Sequence, residues 1–143
     1  MTRMIEKKII VFKPTYGEKI LLTVTLDDTE FDENDGVKIE VEYGSKNYVQ
    51  TASDFFEALQ LLRLELELDG MQIICNGATE NVYPSPMIAS MGEGRKAYRL
   101  FLGKQAKMED IVDIFEYDGN AICVSVERQR EFYVRWLKSI ERR

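Results

Sequence analysis

Histidine is absent from this 143-residue sequence, and cysteine, proline and tryptophan are scarce, at two, three and one residues. The absence of histidine removes the commonest general acid or base near neutral pH, and it excludes Ser-His-Asp and Cys-His catalysis within this chain. It also excludes His-containing zinc sites, and two cysteines are too few for a site with four cysteine ligands. We therefore predict no catalytic residues, no metal site and no cofactor, and we expect a binding protein rather than an enzyme.

Long apolar runs are also lacking. No run approaches the roughly 18 residues that a membrane-spanning helix needs. The N-terminal stretch has a short apolar core, "IIVF", without the small-residue cleavage site of a signal peptide. We therefore expect a cytoplasmic protein with no membrane partner. In that reducing compartment Cys75 and Cys123, which each lie in an apolar run, are predicted to be buried thiols, since a disulfide requires the two runs to pair closely.

The composition is typical of a soluble globular protein, with 45% hydrophobic and 31% charged residues, and the length suits a single domain over residues 1–143. In the N-terminal half, "KKIIVF" is typical of a short strand. The stretches "EKILLTVTL" and "VKIEVEY" alternate along the chain as strands do, and "VKIEVEY" has a cleanly polar face. Gly44-Ser45 predicts a turn into a further strand, "KNYVQ". One solvated face favours antiparallel pairing of these strands.

Two amphipathic helices are predicted. The first spans "TASDFFEALQLLRLELELDG", in which helix-forming residues dominate and apolar residues recur at helical spacing. Thr51 with Asp54, or alternatively Ser53, is expected to cap its start, and Gly70 is expected to end it. The second helix is C-terminal, and we expect Trp136 to be buried on its apolar stripe. That stripe consists of Phe132, Tyr133, Trp136, Leu137 and Ile140.

Further strands are predicted between the two helices. The run "MQIIC" is apolar on both faces, which favours a central strand, and "KAYRLFLG" and "IVDIFEY" (Ile111–Tyr117) are the next two. Asp118-Gly119 predicts a hairpin turn into a last strand, "AICVSV". The order of elements predicts an α+β fold: a single domain with a largely antiparallel sheet, on which a central and a C-terminal amphipathic helix pack.

The segment "DDTEFDENDG" is the most acidic part of the chain. Aligning Gly36 with the invariant glycine of an EF-hand loop puts Phe31 where the first aspartate ligand belongs, and the flanking segments are strands, so calcium binding is disfavoured. Two interpretations remain, a solvated hairpin loop and an acidic surface that docks a partner. The candidate partner-binding residues are Asp27, Asp28, Glu30, Asp32, Glu33 and Asp35.

The distribution of charge favours the docking interpretation. Asp27–Asp69 carries thirteen acidic and three basic residues, a net charge of −10, whereas the whole chain carries −6 and the remainder therefore +4. Such a region repels phosphates and attracts basic proteins. The C-terminal helix is basic, but its aromatic residues lie on the stripe expected to face the core, where they cannot stack on bases. We predict a basic protein partner, no nucleic acid, and a monomer or small homo-oligomer.

The irregular segment Asn76–Tyr98, "NGATENVYPSPMIASMGEGRKAY", is the second candidate for function. Its "GEGRK" has two glycines beside basic residues, but it matches neither the P-loop nor the dinucleotide-binding pattern, and a glycine turn entering a strand also explains it. No nucleophile–base pair is evident in the segment. The alternative hypothesis is a small enzyme or ligand-binding domain that uses glutamate and tyrosine. Its candidate ligand-binding residues are Glu80, Tyr83, Arg95, Lys96 and Tyr98.

The same segment, followed by "VDIFEYD" and the closing "FYVRWLKSI", resembles small bacterial proteins of the toxin-immunity kind. The resemblance is strongest over Asn76–Tyr117, under a third of the chain, and it brings no catalytic residues with it. It implies a cytosolic protein that binds and blocks a secreted toxin. Many such toxins are basic nucleases, and a basic toxin suits an acidic docking surface.

Overall fold

The computed structural model describes residues 5–29, 36–89, 92–119 and 122–141. Strands and helices are both present, and every pairing between the strands is antiparallel, so the predicted α+β class is confirmed. The chain divides into two compact units, Met1–Ile74 and Cys75–Arg143. The assignment of residues 1–143 to one domain stays a prediction.

The first unit is a five-stranded antiparallel sheet with one helix packed on it. The strand order is β4-β3-β2-β1-β5. Alternation along the strands decides which face is buried: Val24, Ile39 and Val41 point toward the helix side and are at most 2% exposed. The elements are β1 (Ile5–Pro14), β2 (Ile20–Asp27), β3 (Val37–Tyr43), β4 (Lys46–Ala52), α1 (Phe55–Leu68) and β5 (Met71–Ile74).

The start of α1 differs from the prediction. Asp54 is the N-cap, and its carboxylate accepts a hydrogen bond of 2.8 Å from the backbone N–H of Glu57. The Glu57 carboxylate in turn accepts from the backbone N–H of Ser53 at 3.0 Å. Thr51 still pairs with Lys38 in the sheet, so the helix cannot begin there. The predicted stop at Gly70 is confirmed by its φ of +72°, which favours glycine.

The position of β5 also differs from the prediction. Within the described residues β5 pairs only with β1, so it lies at an edge of the five-stranded sheet rather than at its centre. Met71 and Ile73 face the core, whereas Gln72 and Ile74 are half-buried. An apolar run predicts that a strand is buried, but it carries no information about which neighbours the strand has.

The second unit contains a three-stranded antiparallel sheet, β6-β7-β8, and the C-terminal helix α3, which packs on β6. Trp136 is only 7% exposed and joins Ile88, Tyr98 and Leu100 in one hydrophobic cluster, so its predicted burial is confirmed. Leu137, predicted on the same stripe, is 36% exposed. The elements are β6 (Val82–Tyr83), α2 (Pro86–Ala89), β7 (Lys96–Arg99), β8 (Ile111–Asp113) and α3 (Val126–Glu141), with 3-10 turns at Asn76–Ala78, Gly92–Gly94 and Met108–Asp110.

In the part of the chain that the structure describes, the hairpin predicted at Asp118-Gly119 is not observed, and residues 120 and 121 lie outside that part. Strand β8 ends at Asp113, and the Asp118 carboxylate is held by the Arg99 guanidinium at 2.6 Å instead of capping a tight turn. Cys123 makes a single antiparallel bridge with Thr79, and helix α3 then begins at Val126. A long-range pairing therefore replaces the local one that the turn signal predicted.

Both cysteines are thiols, as predicted. Cys75 is buried, whereas Cys123 is only partly buried. The Sγ of Cys123 lies 3.7 Å from the carbonyl oxygen of Cys75, so the two cysteines lie close together in the second unit.

Candidate functional site

The acidic segment begins at the end of β2 with a local turn. The Asp27 carboxylate accepts hydrogen bonds from the backbone N–H and the hydroxyl of Thr29, at 2.9 and 2.6 Å. The hydroxyl hydrogen bond is the main reason why the pKa of Asp27 is lowered, so this carboxylate is charged at neutral pH. Asp28, next in the chain, is half-buried. The other four candidate residues, Glu30, Asp32, Glu33 and Asp35, lie outside the described residues.

The acidic segment ends at Gly36, which is closely fitted against β4. Gly36 has a φ of +69°, and a Cβ at this position would lie 1.9 Å from the backbone oxygen of Ala52. Only glycine fits, both because of the backbone conformation and because of the close approach. The C-terminal end of the acidic segment is therefore fixed beside the last residue of β4.

Other acidic side chains line β4 on both faces of the sheet. On the face away from α1, Glu40 accepts from the Asn47 amide at 2.8 Å. On the helix face, Glu65 accepts from the Gln50 amide at 2.9 Å, and Asp69 binds Lys46. The alternation in "VKIEVEY" placed Glu40 on the solvated face, but the approach of α1 residues to β4 had no signal in the sequence.

Asp69 is the centre of a small polar network at the start of β4. Its carboxylate oxygen lies 2.7 Å from the Lys46 ammonium and 2.6 Å from the Tyr48 hydroxyl. The hydrogen bond from Lys46 is the largest cause of the lowered pKa of Asp69, and the bond from Tyr48 is the next. Lys46 also lies 3.9 Å from Glu65. The one basic side chain of β4 is thus already engaged by two carboxylates.

In the alternative site, Tyr83 and Tyr98 are brought together but their rings are packed. The two residues face each other across β6 and β7. The Tyr83 ring stacks on Tyr133 with a centroid distance of 4.1 Å, and Tyr98 is 9% exposed in the cluster around Trp136. These aromatic side chains therefore form part of the hydrophobic core of the second unit.

The charged candidates of the alternative site have separate partners. Glu80 binds Arg128 of α3 at 3.2 Å. Arg95 lies 3.6 Å from Asp113 and over the Phe115 ring at 5.6 Å. Lys96 begins β7 and is exposed. The prediction that "GEGRK" forms a turn entering a strand is confirmed.

Two residues of the second unit were missed by the sequence reasoning. Glu93 is 9% exposed and has a left-handed backbone, with φ of 59° and ψ of 30°, which is uncommon for a residue other than glycine. Gln129 is fully buried on α3. Its place on the helical stripe, seven positions before Trp136, was the available signal for its burial. Nothing in the sequence indicated the backbone strain at Glu93.

Gln129 holds the irregular segment in place. Its side-chain nitrogen donates to the carbonyl oxygens of Gly77, Thr79 and Val82 at 2.8, 2.9 and 2.9 Å. An amide nitrogen has two hydrogens, so three acceptors at these distances share them. The first part of Asn76–Tyr98 is therefore a structured connection, fixed by a buried hydrogen-bond donor.

Side chains suited to metal chemistry are not clustered in the part of the chain that the structure describes. Among the described residues, no group of three or more histidine, cysteine, aspartate or glutamate side chains is placed to hold a metal ion. In the same part of the chain, no helix is both long and apolar enough to cross a membrane. No known family model matches the chain, and no curated protein matches it.

Proposed function

We propose that this chain is a protein-binding module, an immunity-type inhibitor that neutralises a basic bacterial toxin in the cytoplasm. The docking surface is the acidic segment Asp27–Asp35 together with the carboxylates beside β4. The observation that carries the proposal is the concentration of negative charge, −10 over Asp27–Asp69 in a chain of −6. Exposed charges of one sign steer an oppositely charged partner and speed its encounter. They also repel phosphates, which argues against a nucleic acid as the partner.

The first experiment is a pull-down from the native host, followed by mass spectrometry of the captured protein. The rate at which the captured partner associates is then measured for the wild type and for the triple variant Asp32→Asn, Glu33→Gln, Asp35→Asn. We expect slower association at low salt and a small difference at high salt, because exposed charges are screened beyond about 8–10 Å at ordinary ionic strength. The fold should be retained, since a solvated acidic cluster repels itself.

The matched control changes the same number of charges on the second unit. Three exposed glutamates of α3 are replaced by glutamine in that control variant, and they are Glu127, Glu131 and Glu141. The control should associate at close to the wild-type rate. Equal rates for the wild type and for the Asp32, Glu33, Asp35 variant at low salt would refute the acidic docking surface.

A second candidate function is a small enzyme or ligand-binding domain with its site in Asn76–Tyr98. The observation that favours it is Glu93, a buried carboxylate residue in a left-handed conformation between two glycines. Backbone strain of this kind collects at binding and catalytic sites. Replacing Glu93 by glycine relieves the strain, so it should stabilise the protein while abolishing ligand binding. If a metabolite screen by thermal shift finds no ligand for the wild type, this second candidate is wrong.

A further inference from the structure

Strand β4 is an edge strand that offers its backbone on one side. Within the described residues it pairs only with β3. The two-residue turn Gly44-Ser45 joins Tyr43 to Lys46, which are opposite each other in the register. In such a hairpin the pair beside the turn is hydrogen-bonded, and bonded and non-bonded pairs then alternate along the ladder. The backbone N–H and C=O groups of Asn47, Val49 and Thr51 therefore point away from β3.

The three residues that carry these outward groups lie at the surface. Asn47, Val49 and Thr51 are all exposed, and Val49 retains 41% of its surface. Across the residues that the structure describes, no backbone–backbone hydrogen bond to these outward groups is found. The seven residues of β4 contain no proline and no glycine, and their register with β3 is unbroken by a bulge. Proline residues and bulges are two of the features that usually protect a sheet edge, and β4 has neither.

The surroundings of this edge are acidic. Glu40 lies on one face of the sheet beside β4, and Glu65 and Asp69 lie on the other. Gly36, where the acidic segment ends, is fitted against Ala52 at the end of β4. Lys46, whose charge would otherwise protect the edge, is engaged by Asp69 at 2.7 Å. An incoming strand therefore meets open backbone groups flanked by carboxylates.

We propose that β4 docks an extended, basic segment of the partner protein as a sixth, added strand of the sheet. This inference rests on the proposed function and specifies how the partner is recognised: backbone hydrogen bonds to Asn47, Val49 and Thr51 give affinity, and the carboxylates select basic side chains. A second copy of this chain is disfavoured as the occupant, because pairing β4 with β4 brings two acidic edges together.

Hydrogen exchange tests the added strand directly. The probe is a short synthetic peptide that alternates lysine with valine or threonine, and the control peptide is the same sequence N-methylated at every residue. We expect the amides of Asn47, Val49 and Thr51 to exchange fast in the free protein and at least about tenfold more slowly with the probe bound. The N-methylated peptide, which cannot donate, should give no protection.

A matched pair of variants tests the same edge from the protein side. Val49→Pro removes an outward N–H without removing a bond to β3, whereas Val49→Thr keeps the N–H and a β-branched side chain. Val49→Pro should weaken binding of the probe about tenfold, since loss of roughly 1.4 kcal/mol is a tenfold change. Val49→Thr should bind like the wild type. If Val49→Pro fails to fold, the N-methylated peptide gives the same answer on the wild type.

The outcomes separate this inference from the proposed function. Binding that survives both Val49→Pro and N-methylation but is lost at high salt would overturn the added strand and leave the acidic surface as the docking site. No binding of the probe to the wild type also overturns the added strand. A dimer in sedimentation that Val49→Pro dissociates would make the edge an interface between two copies. The proposed function is tested separately. It fails if the natural partner associates equally fast, at low salt, with the wild type and with the Asp32→Asn, Glu33→Gln, Asp35→Asn variant.

Discussion

The side-chain amide of Gln129 donates a hydrogen bond of 2.8 Å to the backbone carbonyl of Gly77, 52 positions earlier in the chain. The donor is fully buried, and the same nitrogen also reaches two further carbonyls of the connection. One side chain of α3 thus supplies hydrogen bonds to backbone carbonyls of a buried irregular segment, where such groups need partners. This explains how the second unit holds a long connection with little regular structure.

Replacing Gln129 by leucine should destabilise the protein. Leucine keeps the volume of the side chain but leaves buried carbonyls without their donor, which costs about 1–3 kcal/mol. Arg130→Ala, at the exposed position next along α3, is the control and should change stability by less than about 0.5 kcal/mol. The measurement is urea denaturation of both variants. Equal midpoints would show that water replaces the amide at no cost.

Gly36 and Gly44 form a matched pair for testing the close approach beside β4. Both have positive φ, but a Cβ at Gly36 would meet the Ala52 oxygen at 1.9 Å, whereas nothing lies within 4 Å at Gly44. Gly44→Ala should therefore cost only the backbone strain, about 1–2 kcal/mol. Gly36→Ala should cost clearly more, because the backbone must also move. Thermal unfolding measures both, and similar losses would mean that residue 36 has room for a side chain.

The Tyr48 hydroxyl should titrate far above its usual range. Burial of the ring is the main cause that raises the pKa of Tyr48 to about 12, and the hydrogen bond to Asp69 adds to it. The folded state thus favours the neutral phenol. This stabilisation is complete below the ordinary pKa of 10.0 and is lost as the pH rises toward about 12.

The unfolding free energy of the wild type should therefore fall with pH above 10.0 more steeply than that of Tyr48→Phe. Absorbance of the phenolate, compared between the two proteins, identifies the titration of Tyr48 itself. Parallel stability curves above pH 10 would mean that residue 48 ionises equally in the folded and unfolded chains.

Trp136 should be the largest single contributor to the cluster on α3. Its ring is 7% exposed, and its Nε1 donates to the carbonyl oxygen of Lys104 at 2.9 Å. Trp136→Ala should cost about 3–5 kcal/mol, as for other buried aromatic residues. Leu137→Ala, at the neighbouring half-exposed position, should cost much less. A thermal midpoint unchanged by Trp136→Ala would indicate that this ring is not part of the core.

Local patterns in the sequence determined much of the first unit. The alternation in "VKIEVEY" predicted strand β3 and its buried face, and the apolar spacing from Phe55 to Leu66 predicted α1. Gly70 marked the end of that helix. These features follow from periods of two and 3.6 residues and from the conformational freedom of glycine, which act over a few neighbouring residues. Contacts with distant segments of the chain are not needed for any of these features.

The tertiary structure alone decided which segments meet. The edge position of β5, the bridge between Thr79 and Cys123 in place of a hairpin, and the burial of Gln129 each depend on partners far away in the chain. The turn signal Asp118-Gly119 does not predict the local structure correctly, because Arg99 binds the aspartate and Cys123 pairs with the distant Thr79. The open side of β4 follows for the same reason, because the order of the described strands, and not the sequence of β4, leaves that edge without a neighbour among the described residues.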